Sequence, residues 1–322
     1  MPKLTVRELI EEKRLSLQLD VLTGDRGLDR PITEPEIGSP GLALAGYMAR
    51  FAAKRLYVLG ETEIAFLRSL KPGDRVATVQ AFFQHELPCV FITKGLSVPR
   101  GLLAVARERS IPVVRSKLKT AEFYSRITPF LQEAFAPRTT VHGSLADVYG
   151  VGLLFVGRSG IGKSECVLDL VERGHRLVAD DVVHVSRRGA DVLLGRGHEL
   201  SHHFMEIRGV GLVDVKALFG IRSVRQQKRI EVVVELLEWD TTADVDRTGL
   251  DLRTTEILGV ALPQVVVPLN PGKNITVISE VVAMSHLLRY SGYDAAKAFN
   301  ERLLKQLGKQ RELRDYLSED YE

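Results

Sequence analysis

The residues best equipped for chemistry are Gly157-Arg158-Ser159-Gly160-Ile161-Gly162-Lys163-Ser164, which fit G-x-x-x-x-G-K-[ST] at every fixed position. Each residue type has a physical reason. Glycines let successive backbone N–H groups turn inward onto phosphate oxygens with no side chain in the way. A helix that follows offers its positive end to the same phosphates. Lys163 brings a point charge to the β- and γ-phosphates, and the Ser164 hydroxyl is a ligand for Mg²⁺. The pattern is that of a nucleoside triphosphate site, with phosphoryl transfer its most direct use.

Asp180 and Asp181 follow the apolar run Leu177-Val178-Ala179. An Asp that closes a strand neighbouring the P-loop strand is where such proteins hold Mg²⁺ or position a nucleophile. Two adjacent carboxylates suggest divided labour, one near the metal and one near the acceptor as a base. The blander alternative is a polar strand end or helix cap; the spacing from the P-loop favours the functional reading. Met205-Glu206-Ile207-Arg208-Gly209-Val210-Gly211 is either a loop with a solvated ion pair or a carboxylate for Mg²⁺ beside an arginine for phosphate oxygens. Pro268-Leu269-Asn270-Pro271-Gly272-Lys273-Asn274 reads as a turn before a helix. It is either a second anion site on that helix N-terminus or ordinary capping by Asn274. His202 and His203 would point to opposite faces of a strand and make a poor chelating pair. Mg²⁺ held by oxygen ligands is therefore favoured.

These groups need elements to hold them. Residues 152–156 are predicted as the strand into the P-loop and 165–172 as the helix out of it, stopped by Gly174. Strands are predicted over 176–179, 230–237 and 265–269, with a hairpin over 182–195 turning at Arg188-Gly189-Ala190. Helices over 275–289 and 294–307 close the chain, the last with Ala296, Phe299, Leu303, Leu304 and Leu307 on one face. Upstream lies a separate α/β alternation. A capping box, Thr5 to Glu8, opens a helix to about Lys13. Leu15, Leu17, Leu19 and Val21 alternate as in a half-buried strand, and 24–40 reads as loop. Strands at 55–59, 89–93 and 111–114 are separated by helices at 61–70, 75–86 and 102–109, and a helix over 122–135 follows. Pro137 stops it, so the boundary is set between a small α/β domain, 1–136, and a second α/β domain, 137–322.

Composition limits the rest. The formal net charge of +3 is too small an excess to argue for nucleic acid, which is bound through clustered Lys and Arg. Cys89 and Cys166 are far apart and form no Cys-x-x-Cys pair, so buried thiols are expected rather than a disulfide framework. The N-terminal segment lacks the apolar core of a signal peptide, and no apolar run is long enough for a membrane span. A cytoplasmic protein with neither membrane nor nucleic-acid partner is the expectation.

Together these stretches resemble the HPr kinase/phosphorylase family, bifunctional enzymes of bacterial carbon catabolite control. Their protein substrate is HPr, the phosphocarrier of the sugar phosphotransferase system. The resemblance is carried by Pro40-Gly41-Leu42-Ala43-Leu44-Ala45-Gly46-Tyr47, Val141-His142-Gly143, Asp147-Val148-Tyr149-Gly150, the P-loop and Ala179-Asp180-Asp181. It continues through residues 205–211, Asp246-Arg247-Thr248-Gly249 and Pro271-Gly272-Lys273-Asn274, so that it covers nearly the whole chain. The Glu-Ile-Arg-Gly-x-Gly stretch is far more specific than a bare P-loop.

The resemblance implies an α/β fold with a small N-terminal assembly or regulatory domain, and a C-terminal P-loop kinase domain of the phosphoenolpyruvate carboxykinase-like type. The implied assembly is a homohexamer. The resemblance further implies that ATP is bound by Lys163 and the 157–164 loop, and Mg²⁺ by Ser164 and Glu206. Asp181 is implied as the base that deprotonates the target serine of HPr. In reverse it is the acid of phosphorolysis, in which inorganic phosphate attacks phosphoserine and pyrophosphate leaves. His142 and Arg247 match further active-site positions, and Asp180 supports the metal. Met205-Glu206-Ile207-Arg208-Gly209-Val210-Gly211-Leu212-Val213-Asp214 resembles the segment needed for both reactions. Pro268-Leu269-Asn270-Pro271-Gly272-Lys273 resembles the segment needed for dephosphorylation, and the last helices are where the family contacts HPr. Two positions depart from the pattern: Arg158, where the family is often acidic, and Asn270, where many members are basic. The P-loop alone also admits a regulatory module that senses nucleotide or phosphate without kinase turnover.

Overall fold

The computed structural model describes residues 4–198, 203–238, 253–269 and 272–319, the side chains of 309–319 excepted. The chain divides into two compact units, Met1–Ala136 and Pro137–Glu322.

In the first unit β1 (Leu4–Thr5) leads into α1 (Val6–Lys13) through a closed capping box. Thr5 Oγ1 accepts the Glu8 N–H at 3.2 Å, and the Glu8 carboxylate accepts the Thr5 N–H at 2.7 Å. Next come β2 (Leu19–Val21), β3 (Pro31–Ile32), β4 (Ile37–Gly38), α2 (Gly41–Leu44), β5 (Leu56–Leu59) and α3 (Glu61–Ser69). The unit ends with α4 (Pro72–Phe83), β6 (Val90–Ile92), α5 (Leu102–Glu108), β7 (Val113–Ser116) and α6 (Thr120–Ala134). Five strands form a sheet in the order β2-β7-β6-β5-β4, in which β4 to β7 pair in parallel and β2 is antiparallel to β7. Both faces are covered, as a mostly parallel sheet requires. Val58, Phe91 and Val114 pack under Leu9, Phe123 and Ile127 of α1 and α6. Tyr57, Leu59 and Val113 pack under Ile64, Phe82 and Val105 of α3, α4 and α5.

Three expectations change here. The 24–40 stretch, expected as loop, carries the short strands β3 and β4. The strand expected from Leu15 shrinks to β2, because Gln18 takes a left-handed φ of 52° and Leu15 faces solvent. The helix expected from Arg75 starts at Pro72, where a missing N–H costs nothing.

The second unit opens with β8 (Arg138–His142), β9 (Ser144–Val148), β10 (Val151–Val156), α7 (Lys163–Glu172), β11 (Arg176–Ala179), β12 (Val182–Arg188) and β13 (Val192–Arg196). It continues with β14 (Phe204–Ile207), β15 (Gly211–Asp214), α8 (Val215–Phe219), β16 (Gln227–Arg229), β17 (Val232–Glu238), β18 (Arg253–Ile257) and β19 (Val260–Leu269). It closes with α9 (Ile275–Tyr290) and α10 (Ala295–Glu319), the latter longer than its predicted span. Six strands form the main sheet in the order β11-β9-β10-β17-β19-β18. β10, β17 and β19 are parallel, while β9 is antiparallel to both β10 and β11. A second, antiparallel sheet, β16-β13-β12-β8, contains the expected 182–195 hairpin. One face of the main sheet packs Leu153, Phe155 and Val234 against Val167 and Leu170 of α7 and Ala283 of α9. The other packs Leu145, Leu154 and Val233 against Val183, Val185 and Leu193 of the second sheet. The parallel strands therefore all end at one edge, and that edge carries the P-loop.

Candidate active site

Residues 157–162 link β10 to α7, with Gly157, Gly160 and Gly162 at φ of 145°, 76° and 104°. A Cβ on Gly157 would press on the Leu236 carbonyl oxygen of β17 at 2.5 Å. A Cβ on Gly160 would run into the Arg208 guanidinium, so the turn between β14 and β15 lays its arginine against the P-loop. Lys163 Nζ donates to the carbonyls of Gly157 at 3.1 Å and Arg158 at 2.9 Å, curling over the loop it serves. Arg158 Nη1 pairs with Glu238 Oε1, at the end of β17, at 2.8 Å.

From sequence, the strand that ends at the acidic pair is expected to neighbour the P-loop strand; it does not, because β9 lies between β11 and β10. The cause is the tight turn at Tyr149 and Gly150, with φ of 52° and 84°, which folds β9 back along β10 before β11 joins. Ser144 thereby starts β9 at the same edge as the P-loop. Its Oγ donates to Asp180 Oδ1 at 2.5 Å, and Ser164 Oγ donates to the same oxygen at 2.9 Å. Burial raises the Asp180 carboxyl above the usual carboxylate range, and the bonds from Ser144 and Ser164 partly offset this. Asp181 is exposed, with a left-handed φ of 61°, and its carbonyl accepts the Gly143 N–H at 2.9 Å. His142 pairs with Val182 across β8 and β12, which brings it beside Asp181.

The 205–214 segment is a two-stranded hairpin. Met205, Ile207 and Val213 face inward to the core beside α7, while Glu206 and Leu212 face each other on the exposed side. Gly209 and Gly211 turn the chain with φ of 85° and 97°, and Asp214 caps α8 by accepting the Ala217 N–H at 2.9 Å. Pro268 and Leu269 end β19, and Lys273 Nζ donates to the Pro268 carbonyl at 3.1 Å. Asn274 does cap α9, accepting the Val277 N–H at 3.0 Å. Arg247, Asn270, Pro271 and His202 lie outside the described residues. His203 sits in a turn with φ of 76°, not on a strand. Ser144 and Glu238 were not singled out from sequence; Ser144 follows directly on Val141-His142-Gly143, the only local hint of its place.

Among the described residues no group of three or more His, Cys, Asp or Glu side chains gathers as a metal cage. The hydroxyl of Ser164 and the carboxylate of Asp180 are hard oxygen donors, few in number. That suits Mg²⁺, which keeps several water or phosphate ligands. Both cysteines are buried free thiols, with Cys166 pushed up to about 12 by burial. None of the described helices is long and apolar enough to cross a membrane.

The family model described as HPr Serine kinase N terminus matches residues 4–131, and that described as HPr Serine kinase C-terminal domain matches residues 133–303. The chain belongs to the HPr kinase/phosphorylase family. It is 47% identical over 319 residues to the HPr kinase/phosphorylase of Prosthecochloris aestuarii (strain DSM 271 / SK 413), an overlap covering 96% of this chain and 93% of that one. To the HPr kinase/phosphorylase of Geobacillus thermodenitrificans (strain NG80-2) it is 43% identical over 303 residues, covering 94% and 97%. Of solved structures, the Hpr(Ser) kinase/phosphatase from Coxiella burnetii aligns at 32% identity with a TM-score of 0.45, covering 51% of this chain and 99% of that chain. The two family models follow one another along the chain and meet within a few residues of the division between the two units.

Proposed function

We propose that the chain is a bifunctional protein-serine kinase and phosphorylase acting on HPr. It transfers the γ-phosphoryl group of ATP to a serine of HPr, and removes it with inorganic phosphate to give pyrophosphate. The observation that carries the chemistry is the convergence of Ser164 and Ser144 on Asp180, one residue before Asp181, at the mouth of the P-loop.

The amides of residues 157–164 and the N-terminus of α7 take the nucleotide phosphates. Lys163 exchanges the carbonyls of Gly157 and Arg158 for phosphate oxygens, and Arg208, already against Gly160, meets the same charge. Ser164, Glu206 and Asp180 are the residues for Mg²⁺, which when bound neutralises charge on the β- and γ-phosphates. Asp181 accepts the serine proton as the serine oxygen bonds to the γ-phosphorus, while the bond to the β-phosphate oxygen breaks and ADP leaves. In phosphorolysis an oxygen of inorganic phosphate bonds to the phosphoserine phosphorus, the P–O bond to serine breaks, and Asp181 returns a proton to the serine oxygen. His142 stands beside this acid–base group, and Arg247 is a further charge for the site. Residues 205–214 serve both directions. Residues 268–273 hold the second anion for dephosphorylation, without a basic residue at Asn270.

The second unit is proposed to share the phosphoenolpyruvate carboxykinase-like P-loop fold, and the first to serve assembly or regulation of a homohexamer. The setting is the bacterial cytoplasm and carbon catabolite repression, with no nucleic-acid or membrane partner. The test is to mix the protein with HPr, ATP and Mg²⁺ and to follow HPr by mass spectrometry. One added phosphoryl group is expected, removed again on adding phosphate, with pyrophosphate released. Nucleotide binding with no mass change over hours at micromolar enzyme would overturn the proposal and leave a sensing module.

A further inference from the structure

Glu280, in the second turn of α9, is a charged residue only 7% exposed. Its carboxylate accepts from Arg173 Nε at 3.0 Å and Nη2 at 2.8 Å, a bidentate pair, and lies 3.1 Å from His175 Nε2. The Tyr149 hydroxyl reaches it at 3.5 Å, and the Tyr149 and His175 rings meet edge-on with centroids 4.6 Å apart. Arg173 and His175 follow α7, and Tyr149 is the turn between β9 and β10. One carboxylate thus ties α9 to the far end of the P-loop helix and to the base of the P-loop strand. The Arg173 guanidinium, foremost, holds that carboxyl below the usual carboxylate range.

The two helices are anchored by different means. α7 buries Cys166, Val167, Leu170 and Val171 in the core. α9 buries Thr276, Ser279, Glu280 and Ala283, with Ile275, Ile278 and Val282 only partly covered. Thr276 Oγ1 adds one long bond to Asp169 at 3.4 Å. α7 is held by four buried side chains, three of them aliphatic and one a thiol; α9 has one fully buried apolar side chain, Ala283, so the Glu280 bonds are a larger share of its anchorage. At the head of α9 stand Gly272, Lys273 and the capping Asn274, beyond the end of β19 and at the sheet edge from which the P-loop leaves β10.

We infer that Glu280 is a positioning residue for the phosphorolytic half of the reaction, acting by seating α9 on α7 and so placing Gly272 and Lys273. This rests on the functional reading above. Phosphorolysis requires a free phosphate held in line with the phosphoserine phosphorus, and small misplacements of a second reactant are costly. Transfer from ATP draws its phosphate contacts from the P-loop and α7, which keep their own anchorage.

The experiment compares wild type with Glu280→Gln, which keeps the volume and removes the charge. Three quantities are read: phosphorylation of HPr at saturating ATP, phosphorolysis of phosphoserine-HPr against inorganic phosphate, and ATP affinity by calorimetry. Phosphorolysis is expected to fall about tenfold, chiefly through a higher KM for phosphate, with phosphorylation and ATP affinity within about twofold. Glu280→Asp is expected to recover part of the loss, and the Val277 amide to exchange faster in Glu280→Gln while α7 amides do not. Equal losses in both directions, or no loss in either, overturn the inference. Should Glu280→Gln fail to fold, Arg173→Gln removes the same anchor from a half-exposed side chain and is judged by the same outcomes. A wild-type protein with neither activity overturns the functional reading instead.

Discussion

Ser164 Oγ lies 2.9 Å from Asp180 Oδ1, so the hydroxyl that a P-loop reserves for a metal is already held by a partly buried carboxylate. The bond links the nucleotide loop to the acidic pair across an intervening strand. On the proposed function, the residues around this bond have separable roles that can be measured.

Lys163→Ala and Asp181→Asn should differ in kind. Loss of the P-loop lysine removes a phosphate contact, so ATP affinity measured by calorimetry should fall at least about tenfold. Asp181→Asn should leave that affinity within about twofold yet lower transfer to HPr by about a hundredfold to ten-thousandfold, the usual worth of a general base. Equal loss of binding in both variants would count against Asp181 as the base.

Gly160→Ala should weaken ATP binding for two reasons, its φ of 76° and the Arg208 guanidinium where the new methyl must go. The backbone strain alone costs about 1–2 kcal/mol. Adding Arg208→Ala should relieve the steric part. The double-mutant cycle, read in ATP Kd, is expected to show a coupling of about 0.5–3 kcal/mol. Strict additivity would mean that the two groups do not touch.

Asp180 sets a pH dependence of stability with a definite sign. Burial raises its folded pKa, so the folded chain holds the proton more tightly than the unfolded chain. That contribution is complete below the ordinary carboxylate pKa and is lost as pH rises through the folded value. Asp180→Asn still accepts both hydroxyls and removes the buried charge. Its Tm should exceed wild type at neutral pH, and the gap should close as pH falls to about 4. A gap independent of pH would mean the charge is not what the substitution relieves.

Cys89 and Cys166 should resist thiol reagents in the native protein. Burial raises both, Cys166 to about 12, and leaves neither accessible as thiolate at pH 8. Mass spectrometry after brief labelling should find neither modified until denaturant is added. Rapid labelling of either in buffer would place that thiol at the surface.

Much of the nucleotide site was legible because its signal is local. A P-loop is a contiguous pattern whose strand and helix lie immediately on either side, and β10 and α7 fall where that pattern puts them. The acidic pair was legible for the same reason, as the end of an apolar run. What sequence could not show was who stands between them. Val141-His142-Gly143 and Asp147-Val148-Tyr149-Gly150 stood out only as family-like stretches, and nothing marked Tyr149, a non-glycine residue with left-handed φ, as the turn that inserts β9. Arg208 against Gly160 was equally hidden, since it depends on how an excursion of dozens of residues returns to the loop. The strand expected from Leu15 failed for the opposite reason, an alternation with no ladder to join until Leu19.

The insertion of β9 bears on how the molecule comes to be made. Ser144 and Asp180 are 36 positions apart, and Ser164 and Asp180 only 16, so the phosphate loop and its carboxylate close over short stretches of chain. Short closures carry a small entropic penalty and form early. Ser144, Ser164 and Asp180 all precede β17 and β19 in the chain, so their contacts close over shorter loops than the pairing of β10 with β17.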